Sequence, residues 1–251
     1  MSMPFYVPTE QRMKDQADFA RKGIARGRSL AALQYRDGIL LCAENPSSTL
    51  HKVAEIYDRI AFAGVGKYNE FDQLRKFGVR TADLTGYQFS REDVNANSLA
   101  NQYAQIIGQV FTHEIKPLEI EILVAEVGTD TSEDQLFHIL YDGTVMDEDH
   151  FSVLGGVSDA ITERLGEAWQ PDLDLAGAVA VAVNALSGPD RALPVDDLEV
   201  AVLERATTRR AFRRLTDAEL APLVPEPPPG AATDAAATDD AGEEPVSPPE
   251  G

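Results

Sequence analysis

The stretch LAALQY-RDG-ILLCAE, Leu30 to Glu44, most limits what this chain can fold into. Asp37-Gly38 between two apolar runs is a strong signal for a tight antiparallel hairpin. Neither run alternates cleanly between apolar and polar residues, so both faces of this hairpin need cover. A second pair follows in VAEIYDRIAFAGVG, with Val53, Ile56, Ile60 and Phe62 around a Tyr57-Asp58-Arg59 turn. Strands return in IEILVAEVG, LFHILYDG and HFSVLGG, and last in LEVAVLERA.

Helical patterns stand between these strands. Thr9 is placed to cap a helix reaching about Arg26, with Met13, Ala17, Ala20 and Ile24 as its apolar stripe. A helix follows the small residues Gly64 and Gly66. Another opens at SRED near Ser90, close to a capping box, and lines up Leu99, Tyr103, Ile106, Ile107, Val110 and Phe111. Ser158 opens a helix carrying Ile161, Leu165 and Trp169. Asp172 or Asp174 opens a small-residue helix ending at Gly188. The order is helix, strands, two helices, strands, two helices, strands. That is not the strict alternation of a doubly wound parallel sheet. It predicts an α+β chain in which two stacked sheets are covered by helices on both outer faces.

The formal charge of −20 argues against nucleic acid or an anionic membrane as partner. From Pro225 to Gly251 the chain holds seven acids and no Lys, Arg or aromatic residue, so this segment is expected to be a disordered acidic tail. Cys42 is the one cysteine, which excludes an intramolecular disulfide and suits a cytoplasmic setting. The first residues lack the pattern of a signal peptide, and no apolar run reaches membrane-spanning length.

Motifs for chemistry are sparse. His51, His113, His138 and His150 show no ligand spacing, so no metal or cofactor is expected. Gly155-Gly156 before a helix reads as a tight turn rather than a phosphate cradle. The basic run RRAFRR reads as a strand edge or a set of ion-pair partners, and Cys42 as a small core residue. Lys52, at the mouth of the second strand pair, reads from the residues alone as an exposed strand-end lysine.

Several of these stretches together resemble one family. DFARKGIARGRSLAALQYRDGILLCAENP, LHKVAEIYDRIAFAGVG, KPLEIEILVAEVG and LYDGTVMDEDHFSVLGG, in this order, are similar to alpha-type subunits of the proteasome core particle. PTEQRMKDQADFARKGIARG resembles the actinobacterial form. The resemblance covers about Met1 to Val224. It implies the four-layer αββα sandwich of N-terminal-nucleophile hydrolases, here in a non-catalytic version with an N-terminal helix.

Catalysis in that class needs Thr, Ser or Cys as the first residue of the mature chain, with its own amine in the proton path. Glu44 and Lys52 resemble the acid and lysine of the catalytic beta relatives. A Gly-Thr or Gly-Ser junction is missing before Leu30, and cutting at Gly128-Thr129 or Gly143-Thr144 would remove the first strands. A stand-alone N-terminal-nucleophile amidohydrolase is therefore the alternative reading, and a scaffold outside proteolysis the third.

The alpha-family resemblance implies other tasks. Lys52 matches the lysine that receives the C-terminal carboxylate of an activator tail, and Gly66 the glycine that lets its backbone approach. Met1, Ser2, Met3, Pro4, Phe5, Tyr6, Val7 and Pro8 match the segment closing the ring pore, residues 9–224 being the sandwich domain. The implied partners are proteasome beta subunits, neighbouring alpha subunits in a heptameric ring, a ring-shaped proteasome-associated ATPase and unfolded protein substrates tagged with a small modifier protein. Phe19 stands where archaeal and eukaryotic alpha chains place a tyrosine, and their Tyr-Asp-Arg signature is missing before the first helix. Their tyrosine-based open-gate cluster is not carried over.

Overall fold

In a computed structural model, residues 8–189, 191–225 and 232–233 are described. Helix α1, Thr9–Ala25, leads into strands β1, Leu30–Tyr35, and β2, Gly38–Glu44; β3, Val53–Tyr57, and β4, Ile60–Gly66, form the second hairpin. Helices α2, Tyr68–Gln88, and α3, Ala96–His113, come next. Strands β5, Ile120–Glu126, β6, Gln135–Ile139, β7, Val145–Glu148, and β8, Phe151–Leu154, precede α4, Ser158–Ala168, and α5, Leu175–Ser187. The described elements end with β9, Arg191–Ala192, β10, Leu198–Glu204, β11, Phe212–Arg214, the short helix α6, Asp217–Leu220, and β12, Ala232–Thr233.

The strands build two five-stranded antiparallel sheets, ordered β11-β10-β2-β1-β8 and β3-β4-β5-β6-β7. Three apolar layers hold the stack. Leu30, Ala32, Ile39, Leu41 and Ala43 of the first sheet meet Val53, Ala61, Ala63, Leu123 and Leu136 of the second. On the outer face of the first sheet, Ala31, Leu33, Leu40 and Cys42 pack under α4 and α5 through Ile161, Leu165, Val179 and Val183. On the other outer face, Ile56, Phe62, Ile122 and Val124 lie under Phe71 and Leu74 of α2 and Leu99, Tyr103 and Ile107 of α3. Leu30 and Ala32 therefore serve one layer, and Ala31 and Leu33 the next. Successive strand side chains point to opposite faces, so a strand covered on both sides must be apolar throughout. The αββα sandwich expected from the sequence is the fold.

Several helix starts differ from expectation. Pro8, not Thr9, occupies the N-cap position of α1, with no side-chain cap; its carbonyl accepts from Arg12 N at 3.0 Å. Proline fixes φ near the value needed at a helix entry, which suffices here. Met13 is 37% exposed, and Gln16 is buried in its place, because the Gln16 amide donates to the carbonyls of Glu114 and Ile115 at 2.8 and 3.2 Å. Ser90 caps only a 3-10 turn, Arg91–Asp93; Asn95 caps α3, accepting from Ser98 N at 2.9 Å. Ser158 opens α4 as expected, and of the two acids offered for α5 it is Asp174 that caps it, accepting from Gly177 N at 2.8 Å.

Gly155 and Gly156, both with positive φ, form the tight turn expected between β8 and α4. Arg213 and Arg214 of the basic run lie on the edge strand β11 and pair with Glu204, Glu219 and Glu199. Cys42 is fully buried. Met1 to Val7 lie outside the described residues, as do 226–231 and 234–251 of the acidic segment. Ala232–Thr233 pair with Arg191–Ala192 as a two-stranded parallel ladder.

Candidate functional site: the lysine rim

Lys52 immediately precedes β3, at the end of the hairpin away from the Asp58-Arg59 turn. The loop that delivers it is stapled by short polar contacts. Asn45 donates through its amide to Leu50 O at 2.7 Å and to Glu199 Oε2 at 2.8 Å, and the Ser47 hydroxyl accepts from Leu50 N at 3.1 Å. Glu199 is the buried anchor. Its carboxylate accepts from Lys52 N at 2.8 Å, from Val53 N at 3.3 Å and from the Arg214 guanidinium at 3.0 Å. A buried carboxylate survives only when paired and hydrogen-bonded in this way. Glu199 escaped the sequence reading. Its signal was an acid one residue inside the apolar strand LEVAVLE, where an unpaired charge has no place.

The Lys52 side chain is half-buried and bends back over the first sheet. Its ammonium donates to Arg28 O at 2.7 Å and to Glu44 O at 2.9 Å. Burial lowers its pKa, and Glu44 and Glu199 offset this only in part against Arg28, leaving it at about 8. The group is thus a cation near neutral pH that two neutral carbonyls solvate, with a hydrogen-bond donor to spare.

Glu44 holds this rim from below. It is buried, forked by Arg191 at 2.8 and 3.0 Å, and paired with Arg28. Its carboxylate is therefore committed to two arginines, and only its backbone oxygen touches Lys52. An acid and lysine arranged to tune a nucleophile would present the carboxylate instead. The residue opening β1 is Leu30, and Ser29 before it is buried, peptide-bonded to Arg28, with its hydroxyl 3.4 Å from Gly155 O.

Gly66 ends β4 on the same rim. Val53 pairs with Ala63, and Gly64 N donates to Lys52 O at 3.0 Å, which puts Gly66 two residues beyond Lys52, roughly 7 Å along the strand. Gly66 has φ of +102°, and a Cβ there would overlap the Glu119 carbonyl oxygen. Only glycine fits. Gly27 lies close behind, where a side chain would press on Gly66 N at 3.2 Å. A groove of about 510 Å³ opens beside the rim, lined by Gly27, Arg28, Glu44, Gly156, Arg164 and Arg191. Among the expected site residues, Lys52, Gly66 and Glu44 thus meet at one end of the two sheets, and Pro8 at the start of α1. Among the described residues there is no cluster of His, Cys, Asp and Glu suited to a metal, and no helix long and apolar enough to cross a membrane.

Known proteins with this sequence pattern are consistent with one another. A family profile described as "Proteasome subunit" matches residues 24–201. A protein of Acidimicrobium ferrooxidans named "Proteasome subunit alpha" is 59% identical over 92% of this chain and its own whole length. A namesake from Saccharopolyspora erythraea is 51% identical, covering 97% of this chain and 96% of its own. One from Rhodococcus opacus is 51% identical over 94% of each. Profile, full-length similarity and the αββα sandwich agree that the chain belongs to the proteasome subunit family and, within it, to the alpha-type subunits of actinobacteria.

Proposed function

We propose that this chain is a non-catalytic ring subunit of a proteasome core particle, which gates substrate entry and docks an activator at Lys52. The observation that carries the reading is the Lys52 rim: an ammonium held by two backbone carbonyls, with Glu44 spent on two arginines and no free α-amine at β1. Such a lysine is built to receive an anion and poorly built to activate a nucleophile, which in this class must carry its own amine.

In this reading the chain associates with neighbouring alpha subunits in a heptameric ring and stacks on beta subunits that cut the substrate. A ring-shaped ATPase inserts C-terminal tails between neighbouring alpha subunits. The tail carboxylate pairs with Lys52, and its backbone runs past Gly66, where a side chain would block it. Residues 9–224 form the ring body. Met1 to Pro8 close the axial pore, the proline acting as pivot into α1. Substrates are unfolded proteins, marked by a small modifier and delivered in the cytoplasm.

The test is Lys52→Ala in the particle assembled with its beta-type partner. Unchanged native mass and basal peptidase activity, with ATPase-stimulated degradation reduced about tenfold, are expected for loss of one partly buried charge pair. Undiminished stimulation would remove Lys52 from the activator site.

A further inference from the structure

A second groove, of about 710 Å³, lies beside the lysine rim between α5 and β9. Val183 of α5, Leu193 and Val195 line its apolar floor, and Arg164 and Arg191 stand at its edge. Arg164, Ser187, Gly188, Pro189 and Arg191 also line the groove next to Glu44, so the two are continuous. Val224 and Pro225, where the chain leaves the sandwich, line the groove too. The next described residues, Ala232–Thr233, then run parallel to Arg191–Ala192. The chain thus leaves its body at this groove and returns to pair with the groove's own strand.

We propose that the acidic segment is a ligand of this groove in cis, anchored where Ala232–Thr233 add to β9, and that its carboxylates compete with an activator tail for the lysine rim. The proposal rests on the activator-site reading of Lys52. Strand addition supplies main-chain hydrogen bonds whatever the side chains are. Charge supplies the direction. Residues 234–251 carry Asp234, Asp239, Asp240, Glu243, Glu244 and Glu250 without a basic residue. The Arg164 guanidinium commits two donors to Ala185 O, at 2.7 and 2.9 Å, and a guanidinium has five N–H groups. From β9, Arg191 reaches across to fork Glu44, whose backbone oxygen holds Lys52. A segment of this length reaches tens of ångströms when extended. Tethering makes its local concentration about millimolar, enough for weak contacts to matter.

The test uses the full chain assembled with its beta partner, compared with a form lacking residues 226–251 and with Arg164→Ala. Hydrogen exchange over residues 183–195 reads the docking. A synthetic peptide with the C-terminal residues of the ATPase ring reads the lysine rim. The full chain should protect residues 191–192, and deletion should expose them and raise peptide affinity by about tenfold if the docked form is near 90% populated. Arg164→Ala should move both readouts the same way by less. Unchanged exchange, or unchanged peptide affinity after deletion, would overturn the proposal. Protection that arises only on ring assembly would assign the groove to a neighbouring subunit and overturn docking in cis. Lys52→Ala separates the two readings: if it leaves peptide affinity unchanged, the activator site fails, while protection at β9 still reports the docking.

Discussion

At the scale of single residues, the rim depends on a lysine whose charge is tunable and a glycine that nothing else can replace. Burial has brought the Lys52 ammonium down to about 8. A bound carboxylate favours the protonated form and raises that value in the complex. Carboxylate binding at this proposed site should therefore be full below about pH 8 and weaken as pH rises through the free-site value toward the raised one. Titrating activator-peptide affinity from pH 6.5 to 9.5 should show a fall above pH 8, and Lys52→Arg should remove it, since a guanidinium stays charged. Gly66→Ala should cost about 1–3 kcal/mol, read by thermal unfolding, because it adds an unfavourable φ to an overlap with the Glu119 carbonyl.

At the scale of elements, two polar clasps join the sheets. Arg205, following β10, forks Asp134, which precedes β6, at 2.7 and 2.8 Å; the Asp134 carboxylate is buried and the Arg205 side chain mostly so. Arg205→Met should cost about 3 kcal/mol in urea unfolding, since it leaves a buried carboxylate without its cation. The other clasp is His138 on β6, between Glu121 of β5 at 3.5 Å and Glu148 of β7 at 3.8 Å, with Glu121 also accepting from Gly155 N. Burial lowers the imidazole pKa, yet hydrogen bonding and attraction to the two carboxylates together raise it above its usual value. A raised folded-state value means that this stabilisation is full below about pH 6.5 and is lost as pH climbs through the raised value. The stability gap between the protein and His138→Gln should therefore be wider at pH 6 than at pH 8.5 in thermal melts.

These elements also show what the sequence could and could not disclose. The Asp37-Gly38 turn and the doubly apolar β1 and β2 were legible, because turn chemistry and two-sided burial are local in sequence. Asp174 was legible as one of two acids placed to open α5, and the structure selects it over Asp172. The caps assigned to Thr9 and Ser90 were not, because proline geometry at Pro8 and a 3-10 turn took those positions, whereas Ser158 does open α4. Lys52, Gly66 and Glu44 were singled out by resemblance. Their supports Arg28, Arg191, Glu199 and Arg214 lie up to 162 positions from Lys52 in the sequence, as with Arg214 and Lys52, and only folding joins them.

For the assembled particle, the proposed role of this chain is that of a wall and a door. Deleting Met1 to Val7 should raise hydrolysis of small peptides by the assembled particle several-fold while adding no active site. An unchanged rate would mean that this segment is not the barrier. In the proposed role the chain assembles with a partner that cuts and does not cut by itself. The most direct measurement is peptidase activity together with native mass, first for the chain purified alone and then after assembly with its beta-type partner. No activity alone and a large active complex together are expected. Activity from the chain alone would contradict that role and would make Glu44 and Lys52 parts of a catalytic site.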